Sequence, residues 1–133
     1  MRLKLETSSA VPLTRQIVEQ VRDLCAGGAL APGDRLPSIR ELAEELSLNP
    51  NTILRAYERL TAEGLLERRH GDGTYVAENL PRGRRRSQEE AWETELERLV
   101  RRGRLLGLAG KEIRARVDRA LEHGSDRSNM PTG

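Results

Sequence analysis

Residues 46–60, LSLNPNTILRAYERL, hold a helix-forming run interrupted by Asn49, Pro50 and Asn51. A proline inside a helix removes a hydrogen bond and clashes with the preceding turn, at a cost of about 3 kcal/mol. At the first helical position both penalties vanish, because that N–H has no partner within the helix. Asn49, just before it, makes a good N-cap, since its side-chain oxygen can accept from the N–H groups ahead. The triplet is therefore a start signal. One helix ends near Ser47, and another runs from Pro50 to about Glu63 with Ile53, Ala56, Tyr57 and Leu60 on its packed face. Asn51, Thr52 and Arg55 are left on the outward face.

The flanking sequence extends the pattern. From Pro12 to Ala26, Leu13, Ile17, Val21 and Leu24 follow helical spacing, and Gly27 and Gly28 end the run. Residues 1–11 read as extended or loose. Pro32-Gly33-Asp34 makes a turn, with room for a very short strand at Arg35-Leu36. Ser38 and Glu41 have the spacing of a capping box, which opens a helix with Ile39, Leu42, Ala43 and Leu46 on one face. Two β-like runs, 65–69 and 74–77, flank the glycine-bearing turn HGDG and predict a hairpin. Two helices joined by a tight turn and followed by a hairpin make a winged helix-turn-helix over residues 1–79. The expected fold class is thus mostly α with a small β-wing, plus a C-terminal helical dimerisation extension.

Residues 80–87, LPRGRRRS, read as a basic linker. Pro81 and Gly83 break structure, and four arginines repel one another. A helical region over 88–123 follows. Trp92, Leu96, Leu99 and Leu106 are spaced close to a heptad seam, and Ile113 and Val117 lie on one face of a last helix. Two helices make a thin core, so the seam is expected to bury a homodimer interface. Packing of the two tail helices on each other is the competing use. Residues 124–133 have the composition of a disordered tail.

Composition excludes several function classes. Phe is absent, so the core must be built from aliphatic residues. Cys25 is the single cysteine, which rules out an internal disulfide, and its place on an apolar helix face suits a plain core thiol. His70 and His123 are the only histidines and form no metal-ligand cluster with it. There is no phosphate-cradling loop and no catalytic constellation, so neither enzyme activity nor a cofactor is expected. No apolar run approaches the roughly 18 residues of a membrane span, and the N-terminus lacks a secretory signal, which predicts a cytoplasmic protein with no membrane partner. Residues 1–79 hold 10 Arg and Lys against 12 Asp and Glu, a net of −2. Bulk charge therefore does not announce a nucleic-acid binder, and the case rests on where charges sit.

In a helix-turn-helix, the second helix places its N-terminal residues on base edges in the major groove. Asn can bond adenine in a bidentate way, Arg can do so with guanine, and Thr can reach a base or a thymine methyl. Asn51, Thr52 and Arg55 occupy that front. Arg68, Arg69 and His70 lead into the glycine tip of the hairpin, which can lie near phosphates or enter the minor groove. An ordinary solvated helix face and a plain surface hairpin are the competing readings. A protein-interaction module, with the winged helix as scaffold and the tail recruiting a partner, is the alternative function.

The blocks PGDRLPS-x-REL, NPNT, AYERL-x-x-EGL and G-x-GTYV occur in order between residues 30 and 77. They resemble the GntR family of bacterial transcription regulators, and the resemblance extends over residues 12–77. It implies dimeric binding to double-stranded operator DNA. By position, Arg40 resembles the operator-contacting arginine of the first motif helix. Asn51 and Thr52 resemble recognition-helix contacts, Gly73 the wing glycine, and Arg35 a phosphate contact. Several relatives carry an arginine where this chain has Leu54 or Pro50. The full candidate DNA-binding set is Arg35, Ser38, Arg40, Asn49, Asn51, Thr52, Arg55, Arg69, His70, Gly71, Gly73 and Thr74. The short tail resembles the YtrA subfamily, in which the tail mainly dimerises and the regulated genes are often those of neighbouring ABC transporters. The tail carries no motif for a sugar, drug or metal, so the existence and identity of a small-molecule effector stay open.

Overall fold

A computed structural model describes residues 1–128. Its elements run α1 (Leu13–Gly27), α2 (Ile39–Leu46), α3 (Pro50–Ala62), β1 (Leu66–Arg69), β2 (Gly73–Val76), α4 (Arg84–Leu105) and α5 (Gly110–Ser128). The chain divides into two compact units, Met1–Gln88 and Glu89–Gly133.

In the first unit, α3 packs against α1, α2 and β1. Ile17, Val18 and Val21 of α1, Ile53 and Leu60 of α3, and Leu65 and Val76 beside or within the hairpin are sealed from solvent. Each such aliphatic side chain stabilises the fold by about 1.5–3 kcal/mol relative to exposure. Cys25 is buried among them, and burial pushes its thiol pKa up while the Arg84 charge pulls the other way. That is the behaviour of a core thiol.

The local signals act as the sequence predicts. The Ser38 hydroxyl accepts from the Glu41 N–H at 3.0 Å, the serine half of the capping box. The Asn49 side chain accepts from the Asn51 N–H at 2.9 Å, and Pro50 sits in the first turn of α3. Between the helices, Ser47 takes φ 55°, the single positive-φ non-glycine among the described residues. Its N–H bonds the Glu44 carbonyl at 3.3 Å, and the Leu48 N–H bonds the Ala43 carbonyl at 2.9 Å. These bonds satisfy the last carbonyls of α2 and reverse the chain within three residues.

β1 and β2 pair antiparallel, with Leu66 opposite Val76 and Arg69 opposite Gly73. The short strand expected at Arg35-Leu36 appears as a bridge from Arg35 to Tyr75, and Leu36 N–H donates to the Thr74 carbonyl at 2.9 Å. Residues 1–6 are extended and held down by amide rungs. Gln20 Nε2 donates to the Lys4 carbonyl at 2.7 Å, and Gln20 Oε1 accepts from the Lys4 N–H at 2.9 Å. Gln16 makes the same pair with Glu6, at 3.0 and 2.8 Å.

Two boundaries differ from the sequence reading. Helix α4 begins at Arg84, inside the stretch expected to be linker. The Gln88 amide donates to Asp23 on α1 at 2.7 Å, a tertiary bond that helps hold its first turns in place. Helix α5 continues to Ser128, so residues 124–128 are helical rather than a disordered tail. The remaining tail residues lie outside the described ones. In the second unit, Gly103 is buried, and a Cβ there would lie 3.3 Å from Ile113 Cδ1, so α4 and α5 meet closely at that glycine.

Left-handed backbone costs a non-glycine residue roughly 1–2 kcal/mol. Ser47→Gly is therefore expected to raise stability by about 0.5–1 kcal/mol, and Ser47→Val to lower it, as read from urea midpoints.

Candidate nucleic-acid interface

The buried stripe of α3 consists of Ile53, Ala56, Tyr57 and Leu60. The helix periodicity that buries these four turns Asn51 and Arg55 outward, and both are exposed, as are Asn49 and Arg40. Thr52 is half-buried on the flank of the same helix. The Tyr57 hydroxyl donates to the Pro37 carbonyl at 2.7 Å, which ties α3 to the residue before the cap of α2. Burial, reinforced by the Glu41 and Glu45 charges, pushes the Tyr57 pKa far above its ordinary value, so it stays a donor. The two helices of the motif are thus locked through the core while their outer residues stay free of it.

The wing is organised by two arginines. Arg35 Nη2 donates to the Asp72 carbonyl at 3.1 Å. Its guanidinium also covers Gly73, where an added Cβ would lie 3.3 Å from Arg35 Nε. Gly73 has φ 143°, so both backbone and space select glycine there. On the outer face of the hairpin, Arg69 stacks 4.0 Å from the centre of the Tyr75 ring. It also bonds Glu67 at 3.3 Å and Glu78 at 3.2 Å. The Tyr75 hydroxyl in turn donates to Asp72 Oδ2 at 2.8 Å. His70 and Gly71 are exposed at the tip.

These contacts sort the candidates. Arg40, Asn51, Arg55, His70 and Gly71 are presented to solvent, and Thr52 partly so. Ser38 and Asn49 spend their side-chain oxygens on helix caps. Arg35 and Gly73 shape the wing turn. Thr74 is 7% exposed, because its strand position faces the core with Leu66 and Val76, and it lines the cleft beside α3 rather than the wing tip. Arg69 is engaged by two carboxylates and a ring, a network invisible to a reading of basic residues near a turn. Arg68, which the candidate set omits, is exposed on the next strand position.

In the second unit, Trp92 is 62% exposed, Leu99 64%, Leu106 71% and Val117 45%. Leu96 and Ile113 are half-buried. Leu99, Leu106, Ile113 and Val117 line an apolar cleft of about 310 Å³ between α4 and α5, flanked by Arg102 and Arg116. No metal-binding cluster of His, Cys, Asp and Glu is present among the described residues, and no described helix is long and apolar enough to cross a membrane.

Two helices locked across a tight turn, with an outward helix front and a glycine-pointed hairpin beside it, define a winged helix-turn-helix. Comparison with known proteins places it more narrowly. Residues 13–76 match the sequence pattern of the bacterial regulatory proteins of the gntR family. The chain is 44% identical over 77 residues to the HTH-type transcriptional repressor YtrA of Bacillus subtilis, covering 58% of this chain and 59% of that protein. It is 32% identical to the structure described as YtrA from Sulfolobus acidocaldarius, a GntR-family transcription factor, covering 91% of this chain and 97% of that one at a TM-score of 0.53. The DNA-binding domain of AraR, solved in complex with operator ORX1, is 25% identical, with coverage of 58% and 96% and a TM-score of 0.51. The chain belongs to the GntR family of transcriptional regulators, and it is similar to YtrA-type members. The matched stretch spans about three-fifths of the Bacillus subtilis relative.

Gly73→Ala is expected to destabilise the fold by about 1 kcal/mol or more, since it combines positive φ with contact on Arg35. Faster amide exchange at Leu36 and Val76, with the α1 core amides unchanged, would locate the damage in the wing.

Proposed function

We propose that this protein is a homodimeric repressor that binds a palindromic operator through α3 and the wing. The observation that carries the reading is the exposed front of α3. Asn51 and Arg55 stand opposite the buried stripe, at the end of a helix whose dipole favours phosphate. Their chemistry matches base edges in the major groove, and Arg40 adds a cation on α2. A DNA-binding domain of the same architecture has been solved on its operator, which supports this placement.

The dimer rests on the second unit. Trp92 and Leu99 present an apolar row along α4, continued by Leu106 just past its end and by Ile113 and Val117 of α5. A second copy covering this row would remove large apolar side chains from water. A two-fold dimer reads two half-sites related by the same symmetry, which makes the operator a palindrome. Repression follows the character of the similar Bacillus subtilis protein, and the regulated genes are expected to be those of a neighbouring ABC transporter, as in the subgroup the chain resembles. Any small-molecule effector would act through this same protein–DNA equilibrium.

Sedimentation should give a dimer at micromolar concentration, and Leu99→Asp with Leu106→Asp should give monomers. A monomeric native protein would refute the dimer. A duplex from the promoter of its own gene should be bound with steep salt dependence. Arg40→Ala should weaken that complex by about 1–3 kcal/mol if Arg40 reads a base, and by less if it meets phosphate. Absence of any salt-sensitive binding would overturn the reading.

A further inference from the structure

The cations of the wing are not equivalent. In an antiparallel pair, directly opposed residues share a face of the sheet. Arg68 pairs with Thr74, so it lies on the same face as Leu66 and Val76, the face turned to the core. It lines a cleft of about 170 Å³ with Leu54, Glu58 and Thr61 of α3 and with Thr74. Arg69 lies on the opposite face, held by Glu67, Glu78 and the Tyr75 ring. Arg68 makes no hydrogen bond or ion pair among the described residues, and Glu58 in the same cleft is not within ion-pair distance of it.

We propose that Arg68 is a phosphate contact of the DNA interface, seated in the cleft between α3 and the wing, and that Arg69 is a positioning residue with no phosphate of its own. This rests on the proposed DNA-binding function. The phosphate backbone is the ridge that separates the major from the minor groove. If α3 occupies one groove and the wing tip reaches the other, that ridge crosses the cleft between them. An unpaired guanidinium in the cleft then meets a backbone phosphate. Arg69 cannot serve in this way without giving up two carboxylates and a ring stack.

The test needs no operator, because phosphate contacts appear in binding to any duplex. Affinity for a mixed-sequence duplex is measured across a salt series for the full chain and for R68Q, R68K and R69Q. Circular dichroism checks that each variant keeps its helix content. R68Q is expected to make the slope of log K against log salt less negative by about 0.9, the loss of one phosphate contact. R68K should keep the native slope, and so should R69Q. A native slope in folded R68Q overturns the proposal, as does an R69Q slope reduced as much as that of R68Q. If the unmodified chain shows no salt-dependent binding, the DNA-binding reading itself fails. If it does and R68Q matches it, only the Arg68 assignment fails.

Discussion

The reversal between α2 and α3 is the constraint on which the rest of the head depends. Two helices must stop and start within three residues while one is presented outward. Ser47 accepts left-handed strain, the Ala43 and Glu44 carbonyls are satisfied, and Asn49 with Pro50 restarts the chain. Tyr57 then fastens the new helix to Pro37, the residue before the Ser38 cap of α2. A looser connection would leave the front of α3 without a fixed bearing, and a recognition surface has value only when its side chains are held in place.

The electrostatics of the head follow from placement rather than sum. Residues 1–79 carry a small net negative charge, yet several acidic groups are consumed locally. Glu63 pairs with Arg22 between α1 and α3, Glu67 and Glu78 hold Arg69, and Asp72 accepts from Tyr75. Such exposed or half-exposed pairs add little stability in water. Their effect is geometric: they tie the hairpin together, while the side chains of Arg40, Arg55 and Arg68 carry no ion pair among the described residues.

What was legible in the sequence was local. Ser38, Asn49 and Pro50 announce helix starts through their own chemistry, and the glycines of HGDG announce a turn. The spacing of Ile53, Ala56, Tyr57 and Leu60 fixes which side of α3 is buried. What was hidden depends on partners distant in the chain. Thr74 stood in the candidate binding set, but strand register turns it towards the core. Arg69 looked like a free cation, but Glu78 and Tyr75 engage it. The linker arginines seemed bound to repel one another, yet Gln88 meets Asp23 and the helix begins at Arg84. Gln16 and Gln20, spaced as exposed helix residues, gave no sign that their amides grip the extended start of the chain.

Helix α3 separates its duties cleanly by side. The four residues that join α3 to the core share none of their positions with Asn51, Arg55 or Arg59, which project away from them. A gene duplicate could therefore change its DNA address by altering a few outward side chains, with the scaffold thermodynamically indifferent to the change. Paralogues built on this framework can diverge in target far faster than in shape.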